Sequence, residues 1–503
     1  MSEPRDTDQH KLPQRAKMPP GPPDAAPAEA TMPPDAVPAP AAPAPDAAPA
    51  EAPVPAPPTA SRARRRRITG LREILVVDAL AVILVVASGP AAFIWLDQSR
   101  GSLSGATATP AAGGSPTVRP SASPSTAAAG SGGASAAPTF VFGDGTWSRT
   151  GSLPQAVFGS AGAVLPDGRV LVVGGMNGSS SASAVAGATT YDPATGRWTA
   201  VTHMLQPRAY PMAVTLADGS VLVAGGMRNR QPLDTAERYD PRTDTWVAAG
   251  RLMMPRTQGT VTLLPDGRVL AAGGGIEGPP GWIATATAEL FDPATGTWSQ
   301  TAPMSVARAL HTATLLAGGD VLIAGGATVY EGQTGSVSAT AEIYSSRTGT
   351  WRRVGAMSKP RYAQGAALLE DGRVMVAGGW YSTKNSDHAH NTAEVFDPAT
   401  GAWTATAAMT GSRSLFALVG LPDGRILAAG GVDSSYKLEA SAELYDSTSG
   451  TWRSTGSLVT AVTLPATLVL ADGRVLVAGG GLDSSANKQT AISQIYTPVA
   501  GPQ

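Results

Sequence analysis

The chain has 503 residues, with 58 Gly, 43 Pro, no Cys, 15% charged residues and a formal net charge of −1. The absence of Cys excludes disulfides, zinc-thiolate sites, thiol nucleophiles and iron–sulfur clusters. A composition rich in Gly and poor in charge excludes a helical bundle or coiled coil. The near-neutral charge argues against a dedicated nucleic-acid-binding protein, which would carry a basic stripe.

Residues 1–61 form a Pro/Ala-rich segment, and 18 of the 43 prolines lie in its first 60 positions. The segment offers too little apolar surface to offset the entropy of ordering, so we predict a disordered arm. Pro-rich segments also dock in aromatic grooves of partner domains. Because no Arg- or Lys-flanked PxxP core is present near residues 40–58, we favour a spacer.

A basic segment, residues 62–73, precedes an apolar stretch at residues 74–96. As a helix this stretch rises about 34 Å, enough to cross a hydrocarbon core of roughly 30 Å. Arginines concentrate before it, so the positive-inside rule predicts a cytoplasmic N-terminus and an extracytoplasmic remainder. Small residues at 87–92 leave a cleaved signal as the alternative. The length and late start of the stretch favour an uncleaved, single-pass anchor in the cell membrane.

Residues 97–138 are rich in Ser, Gly, Ala and Pro and predict a flexible stalk. From residue 139 to 498 one unit then recurs seven times, followed by a tail at 499–503. The Ala/Pro/Gly-rich, Cys-free composition favours a bacterial source of high genomic G+C content.

Each repeat contains four short stretches of alternating apolar residues, such as 212–218, 220–226, 235–241 and 245–253, which predict strands. Pro-Asp-Gly and Asp-Pro-Ala-Thr-Gly segments predict tight turns between strands one and two and between strands three and four. A Gly-Gly doublet ends each second strand. The repeats are marked by Trp147, Trp198, Trp246, Trp298, Trp351, Trp403 and Trp452, which we expect to pack blade against blade.

Four antiparallel strands in about 50 residues are typical of a β-propeller blade. The order of motifs in these units resembles the kelch repeat. A Gly-Gly doublet is followed by Ala-Glu-x-Tyr-Asp-Pro-Ala-Thr-Gly-x-Trp, and then by a Met and an Arg. The resemblance covers residues 144–498 and implies an all-β, seven-bladed propeller. Residues 144–153 predict a fourth strand without the first three, and residues 461–497 predict three strands without a fourth. We therefore expect the leading strand to complete the last blade and close the ring.

Chain direction gives this propeller two different faces. One face, the turn face, carries the near-identical 1–2 and 3–4 turns. The other, the variable face, carries the 2–3 loops and the links between blades, which differ in sequence. Recognition usually resides in loops that vary on a uniform scaffold, so we expect binding at the variable face.

Five Arg residues, which we call the blade-starting arginines, lie ten positions after a repeat Trp and begin blades two to six. Five Glu residues lie nine positions before the next repeat Trp. Both are absent from the two blades beside the closure, which carry Val157 with Thr189 and Val462 with Gln494. The joint loss predicts ion pairs within blades, because a lone buried charge is costly. The alternative is a ring of cations that binds an anion. The pairs are Arg208 with Glu237, Arg256 with Glu289, Arg308 with Glu342, Arg361 with Glu394, and Arg413 with Glu443.

Residues that break the repeat are candidate ligand contacts. A His-x-His pair in the fifth 2–3 loop would point two rings to one side of an extended segment. Without a third ligand, a polar loop is favoured and we predict no metal site. Aromatic residues in the other loops suit stacking on sugars or binding a peptide. The candidates are Trp380, Tyr381, His388, His390, Trp282, Tyr330 and Tyr436, together with Tyr210, Tyr362 and His311 beside the blade-starting arginines.

Some kelch-like propellers resemble galactose oxidase, whose copper radical site requires a Tyr cross-linked to a Cys. This chain has no Cys. The resemblance therefore implies no oxidase activity here, and we expect no cofactor and no catalytic residues. The sequence predicts a membrane-anchored, non-enzymatic module that binds a protein, peptide or glycan outside the cell. Two alternatives are a surface carbohydrate-active or oxidase-like enzyme, and a transmembrane sensor that signals to the cytoplasmic arm.

Overall fold

The computed structural model describes residues 145–178, 183–278, 281–328, 336–382, 387–484 and 487–499. The predicted arm, basic segment, membrane span and stalk lie outside these ranges. Within them, no helix combines the length and the apolar character that crossing a bilayer requires.

The strands in the described ranges form seven four-stranded antiparallel sheets, each ordered from the first strand to the fourth. This confirms the all-β, seven-bladed propeller. The strands are Ala161–Val164, Val170–Val173, Ala188–Asp192 and Arg197–Ala200 in blade 1; Met212–Thr215, Val221–Ala224, Thr235–Asp240 and Thr245–Arg251 in blade 2; Thr260–Leu263, Val269–Ala272, Ala288–Asp292 and Thr297–Thr301 in blade 3; Thr312–Leu315, Val321–Ala324, Ala341–Ser345 and Thr350–Arg353 in blade 4; Gly365–Leu368, Val374–Ala377, Ala393–Asp397 and Ala402–Thr406 in blade 5; Ala417–Gly420, Ile426–Ala429, Ala442–Asp446 and Thr451–Thr455 in blade 6; and Ala466–Val469, Val475–Ala478, Ser493–Thr497 and Thr146–Arg149 in blade 7.

The second strand of each blade is its most buried element, and all four of its residues are buried in every blade. These strands are continuous runs of Val, Leu, Ile, Met and Ala, as expected where both faces of a strand are covered. First strands of neighbouring blades contact each other around the axis. Apolar clusters join adjacent blades, for example Leu222 of blade 2 with Phe291 of blade 3. The core is therefore a ring of interblade clusters.

The ring closes through the strand Thr146–Arg149, which pairs antiparallel with Ser493–Thr497. Trp147 lies opposite Tyr496 in this pairing, as the sequence predicted. The closing strand therefore supplies the outer strand of blade 7, and the sheet order in this blade matches that of the other six.

Three of the 2–3 connections contain strands that the sequence analysis treated as loops. Two-stranded hairpins form from Met227–Arg228 with Gln231–Pro232, from Gly275–Gly278 with Gly281–Ala284, and from Trp380–Ser382 with Asp387–Ala389. Each begins directly after a Gly-Gly doublet. Their alternation covers only two to four residues, too few for a periodic pattern to show in the sequence.

The Gly-Gly doublets bring neighbouring blades into backbone contact. The second glycine donates its N–H to a carbonyl of the next blade, as from Gly326 to Arg361 at 2.8 Å. The same bond recurs from Gly175, Gly226, Gly274, Gly379, Gly431 and Gly480. Gly325 has φ = 70°, and a Cβ on it would lie 2.6 Å from the Arg361 carbonyl oxygen. Only glycine fits both constraints, so the doublets serve blade packing.

The repeat Trp residues also join blades. In six of them Nε1 donates to a backbone carbonyl of the preceding blade, at 2.7–3.0 Å. All seven rings pack on a Tyr or Phe of the third strand, with centroids 5.0–5.3 Å apart. Trp147 is the exception for hydrogen bonding, because its Nε1 has no acceptor within the described residues.

Candidate functional site

Each blade-starting arginine lies inside the protein beside the glutamate of its own blade. The Nη2–Oε1 distance is 2.9 Å for Arg308 and Glu342, and both side chains are almost fully buried. Equivalent pairs join Arg208 to Glu237 at 2.7 Å, Arg361 to Glu394 at 2.9 Å, Arg413 to Glu443 at 2.8 Å, and Arg256 to Glu289. All five arginines are 0% exposed. The alternative ring of anion-binding cations therefore has no accessible guanidinium group.

The ion pair also holds three backbone segments together. Arg308 Nη1 donates to the carbonyl oxygens of Gly325 at 2.6 Å and Thr340 at 3.0 Å. Glu342 Oε2 accepts the N–H of Ser305 at 2.7 Å. Burial lowers the pKa of Arg308, and the Glu342 carboxylate counteracts this effect. The pair thus links the Gly doublet, the third strand and the link that enters the blade.

Blade 7 preserves this backbone contact without charge. Gln494 Oε1 accepts the N–H of Thr460 at 2.8 Å, and its Nε2 donates to the Thr460 carbonyl at 2.9 Å. The arginine position is Val462, which is 1% exposed. In blade 1 the buried Thr189 hydroxyl has no partner among the described residues. The two blades beside the closure therefore lack a buried ion pair.

Three predicted ligand contacts are interior residues: Tyr210, Tyr362 and His311 are 5%, 7% and 2% exposed. Their expected place at an open mouth is corrected by the structure. His311 Nε2 lies 3.0 Å from Thr260 Oγ1 of the preceding blade. Burial, with a further contribution from Arg308, lowers the pKa of His311 to about 3. Tyr210 and Tyr362 are buried in an apolar cluster that also contains residues of other blades, such as Phe158 and Leu310.

The fifth 2–3 hairpin also buries two of its candidates, since Trp380 is 4% and His390 is 7% exposed. His390 Nε2 donates to the Pro360 carbonyl at 3.1 Å. Burial and then Arg361 lower the pKa of His390 to about 4. Tyr381 stacks on His390 at 4.2 Å between ring centroids and packs on His388 at 5.4 Å. Both rings of the His-x-His pair therefore pack against Tyr381 within the hairpin.

Among the candidates whose side chains are described, Tyr436 presents most surface. It is 46% exposed, and its ring stacks on Trp380 with centroids 5.2 Å apart and planes 25° apart. Its backbone has φ = 60°, a left-handed conformation that is uncommon for a non-glycine residue. Tyr436 and the Trp380 ring beneath it form a stacked pair that we call the aromatic ledge, on the variable face between blades 5 and 6.

Polar residues that the sequence analysis did not single out build the ledge. Asp433 Oδ1 accepts the N–H groups of Ser435 at 2.7 Å and Lys437 at 2.9 Å. Ser434 Oγ accepts the N–H of Ala389 at 3.1 Å and donates to its carbonyl at 3.0 Å. The available signal was the Asp-Ser-Ser-Tyr segment after the doublet, since Asp at that place favours an Asx turn.

Two further candidates cannot be placed in a site. Trp282 lies in the hairpin strand Gly281–Ala284, but its side chain is not among those described. Tyr330 lies outside the described residues.

The turn face is uniform by comparison. In its Asp-Gly-Arg turns the arginine folds back on the aspartate two residues earlier, as in Asp167 with Arg169 at 2.7 Å and Asp371 with Arg373 at 2.6 Å. Both members of such pairs are partly exposed, where ion pairs add little stability. The same turn pair therefore recurs in five of the seven blades.

Seven four-stranded blades, joined by Gly doublets and Trp side chains and stabilised by internal Arg–Glu pairs, define a kelch-type β-propeller. The Kelch motif matches residues 208–253 and 371–410, and together with the seven four-stranded blades this match supports a kelch-repeat propeller. It is 32% identical over 142 residues to spermatocyte protein spe-26 of Caenorhabditis elegans, which covers 27% of this chain and 24% of that protein. The chain thus spans about a quarter of that relative.

Among solved structures, the chain is similar to a fungal alcohol oxidase of the AA5 family in complex with copper. The TM-score is 0.56 at 18% sequence identity, over 71% of this chain and 76% of that one. A likeness at this identity concerns the fold alone. The residues here do not fit a copper site of that kind, since the chain has no Cys. The described ranges hold no group of three or more His, Cys, Asp or Glu residues placed to bind a metal.

Proposed function

We propose that this protein is a membrane-anchored interaction module that binds an extracytoplasmic partner through the variable face. Kelch repeats support an interaction role. The observation that carries the proposal is the exposed, rigidly held Tyr436 on the variable face, because strained and exposed aromatic residues concentrate at binding sites.

The direction of the closing strand supports display of this face. Gly145 occupies the place of the glycine that ends the 3–4 turn in other blades, and Thr146 pairs with Thr497 at the end of the third strand. Gly145 and Thr497 therefore both lie at the turn face of blade 7. An anchor attached before Gly145 would join the propeller at the turn face, leaving the 2–3 loops on the opposite side for a partner.

The described surfaces agree with this division. The turn face repeats one Asp–Arg turn in five of its seven blades, which offers little to distinguish partners. The 2–3 connections differ from blade to blade, with hairpins in blades 2, 3 and 5 and an Asx-stabilised loop in blade 6. Because these connections differ on a rigid ring, each part of the variable face presents different groups to a partner.

Site-specific photo-crosslinking in intact cells tests the proposal. A benzoyl-phenylalanine residue replaces Ser435 beside the ledge in one variant and Ser449 in a 3–4 turn in the other. We expect a discrete crosslinked partner from position 435 and none from position 449. Equal crosslinking from both positions, or crosslinking from 449 alone, would contradict binding through the variable face.

The absence of Cys allows a direct test of topology. Single Cys substitutions at Ser435 and at Ala36 are exposed to a membrane-impermeant maleimide on intact cells. We expect labelling of Ser435→Cys only, with labelling of both after lysis. Labelling of Ala36→Cys on intact cells would contradict the predicted cytoplasmic arm, and failure of both to label would contradict external display.

The enzyme alternative is tested on the same protein. If the full chain turns over a sugar or an alcohol and chelation abolishes that turnover, the protein is a surface enzyme and the interaction-module proposal is wrong.

A further inference from the structure

We infer that the aromatic ledge is a glycan-binding site that stacks a neutral pyranose ring on Tyr436. The inference deepens the proposed function by naming the ligand class for the variable face, and it rests on that function. The observations that carry it are the stacking of Tyr436 on Trp380 together with its exposure, the closure of the neighbouring backbone edges, and the polar groups of the adjoining loops.

The Tyr436 ring has one protein-covered face. Trp380 stacks on it with planes 25° apart, yet 46% of the tyrosine remains exposed. A large part of the tyrosine is therefore open to a ligand. Trp380 itself is 4% exposed, so it acts as the rigid base of the platform. A flat ring face with a solid support suits a flat apolar partner, such as the C–H face of a pyranose, through dispersion and the ring quadrupole.

The platform is held in place before any ligand arrives. Asp433 accepts two backbone N–H groups of the loop, and the Asp433 N–H donates to the Lys437 carbonyl at 2.9 Å. The loop is thereby closed around Tyr436, whose N–H donates to the Asp433 carbonyl at 3.0 Å. The positive φ of Tyr436 costs backbone energy that a purely structural position would avoid with Gly or Asn. An ordered platform loses little entropy on binding.

An extended peptide finds no backbone edge at this place. On one side of the fifth hairpin, Trp380 exchanges N–H to carbonyl bonds with Tyr362, at 2.8 and 3.0 Å. On the other side, Ser434 Oγ accepts the N–H of Ala389 and donates to its carbonyl. Strand addition requires unpaired backbone groups at an edge, and these groups are already paired. A ligand that uses a ring face and hydroxyl groups needs no such edge.

The ledge is surrounded by small polar groups that a polyol can use. Ser412 Oγ lies 3.2 Å from Ser434 Oγ, and both residues are half-buried. Ser382 is exposed and Asp387 half-buried at the fifth hairpin. Lys437 is paired with Glu439 at 3.8 Å, so the immediate surroundings favour a neutral sugar.

Saturation-transfer NMR with the full chain tests the inference. The probes are cellohexaose, maltohexaose and chitohexaose, each at millimolar concentration. We expect saturation on the ring C–H protons of at least one of them. Tyr436→Ala should weaken that binding about tenfold or more, whereas Tyr436→Phe, which keeps the ring, should bind within about twofold of the parent. Leu205→Ala is the matched control, since Leu205 is 62% exposed on another part of the rim.

Tyr436→Gly separates binding from folding, because glycine accepts φ = 60° without strain. We expect unchanged or higher thermal stability with the same loss of sugar binding as Tyr436→Ala. No saturation transfer from any of the three probes would overturn the inference, as would binding that is unaffected by Tyr436→Ala. Crosslinking of a partner from position 435 without any sugar binding would overturn the glycan assignment while leaving the interaction module standing.

Discussion

The indole ring of Trp147 packs against the phenol ring of Tyr496 at 5.3 Å, joining the outer strand of blade 7 to the strand that ends the last repeat. This contact spans the seam at which the ring closes. The seam also lacks two stabilising contacts found elsewhere, one between blades and one within a blade. Trp147 Nε1 has no acceptor in the described ranges, and blades 1 and 7 have no Arg–Glu pair. We infer that the seam is the place where the propeller opens most readily.

Trp147→Phe and Trp198→Phe form a matched pair that tests this difference. Both keep an aromatic ring against the third strand. Trp198→Phe also leaves the Gly151 carbonyl without the 2.9 Å bond from Trp198 Nε1. We expect Trp198→Phe to lower the free energy of unfolding by about 1 kcal/mol more than Trp147→Phe. Urea unfolding followed by tryptophan fluorescence checks this, and a larger loss for Trp147→Phe would contradict it.

The Arg308–Glu342 pair predicts a large coupling energy. Arg308→Val alone leaves a buried carboxylate and should cost about 3–5 kcal/mol. The double variant Arg308→Val with Glu342→Gln reproduces the residues of blade 7, where Gln494 binds the Thr460 backbone on both sides. We expect this double variant to be more stable than Arg308→Val alone. Additive losses in a double-mutant cycle would show that the two side chains do not act as a pair.

His311 predicts a specific loss of stability in acid. Its pKa is about 3 in the folded protein and about 6.5 when unfolded, so the unfolded state binds the extra proton between these values. The stabilisation is complete above pH 6.5 and falls by about 1.4 kcal/mol for each pH unit below it, until about pH 3. His311→Gln, which copies Gln364 of blade 5, removes this proton uptake.

Urea unfolding of the parent and of His311→Gln at pH 7, 6, 5 and 4 measures the effect. The difference in unfolding free energy between the two proteins should shift in favour of the variant as the pH falls. A difference that is constant across this range would mean that His311 does not stay neutral in the folded protein. The test is specific because Gln364 occupies an equivalent buried position and donates to the Ala324 carbonyl at 2.8 Å.

The fold could be predicted because each of its determinants recurs. Repeated Trp residues, Gly doublets and turn segments indicated the blade, and the unequal ends indicated the closure. The Arg–Glu pairing could be predicted because both members disappear together at Val462 and Gln494. The structure then explains why glutamine suffices there, since its amide still binds the Thr460 backbone.

The candidate site was less accessible to sequence reasoning, because no repeat defines it. The aromatic candidates were chosen by residue type, but type does not report burial. Tyr210 and Tyr436 both have positive φ, yet Tyr210 is 5% exposed and Tyr436 is 46% exposed. The difference comes from tertiary position: Tyr210 lies two residues before the inner strand Met212–Thr215, and Tyr436 lies in a loop held by Asp433. Ser434 was missed because its role depends on contact with Ala389 of another blade.

Gly379→Ala and Gly372→Ala separate backbone strain from close packing at the doublet. The two glycines belong to blade 5 and have φ values of 92° and 83°. A Cβ on Gly372 would meet nothing within 4 Å, whereas one on Gly379 would lie 2.7 Å from Gln364 Cβ and 2.9 Å from the Tyr362 carbonyl oxygen. Gly372→Ala should therefore cost only the conformational strain of about 1 kcal/mol.

Gly379→Ala should cost at least about 2 kcal/mol more than Gly372→Ala, since backbone of the same blade must move to admit the methyl group. Thermal unfolding of both variants checks the ranking. Amide hydrogen exchange then locates the damage, which we expect at Gly379, whose N–H donates to the Arg413 carbonyl of blade 6 at 3.0 Å. Equal losses of stability for the two variants would mean that backbone conformation alone requires glycine in the doublet. Close packing around the doublet would then not explain why two glycines recur in every repeat.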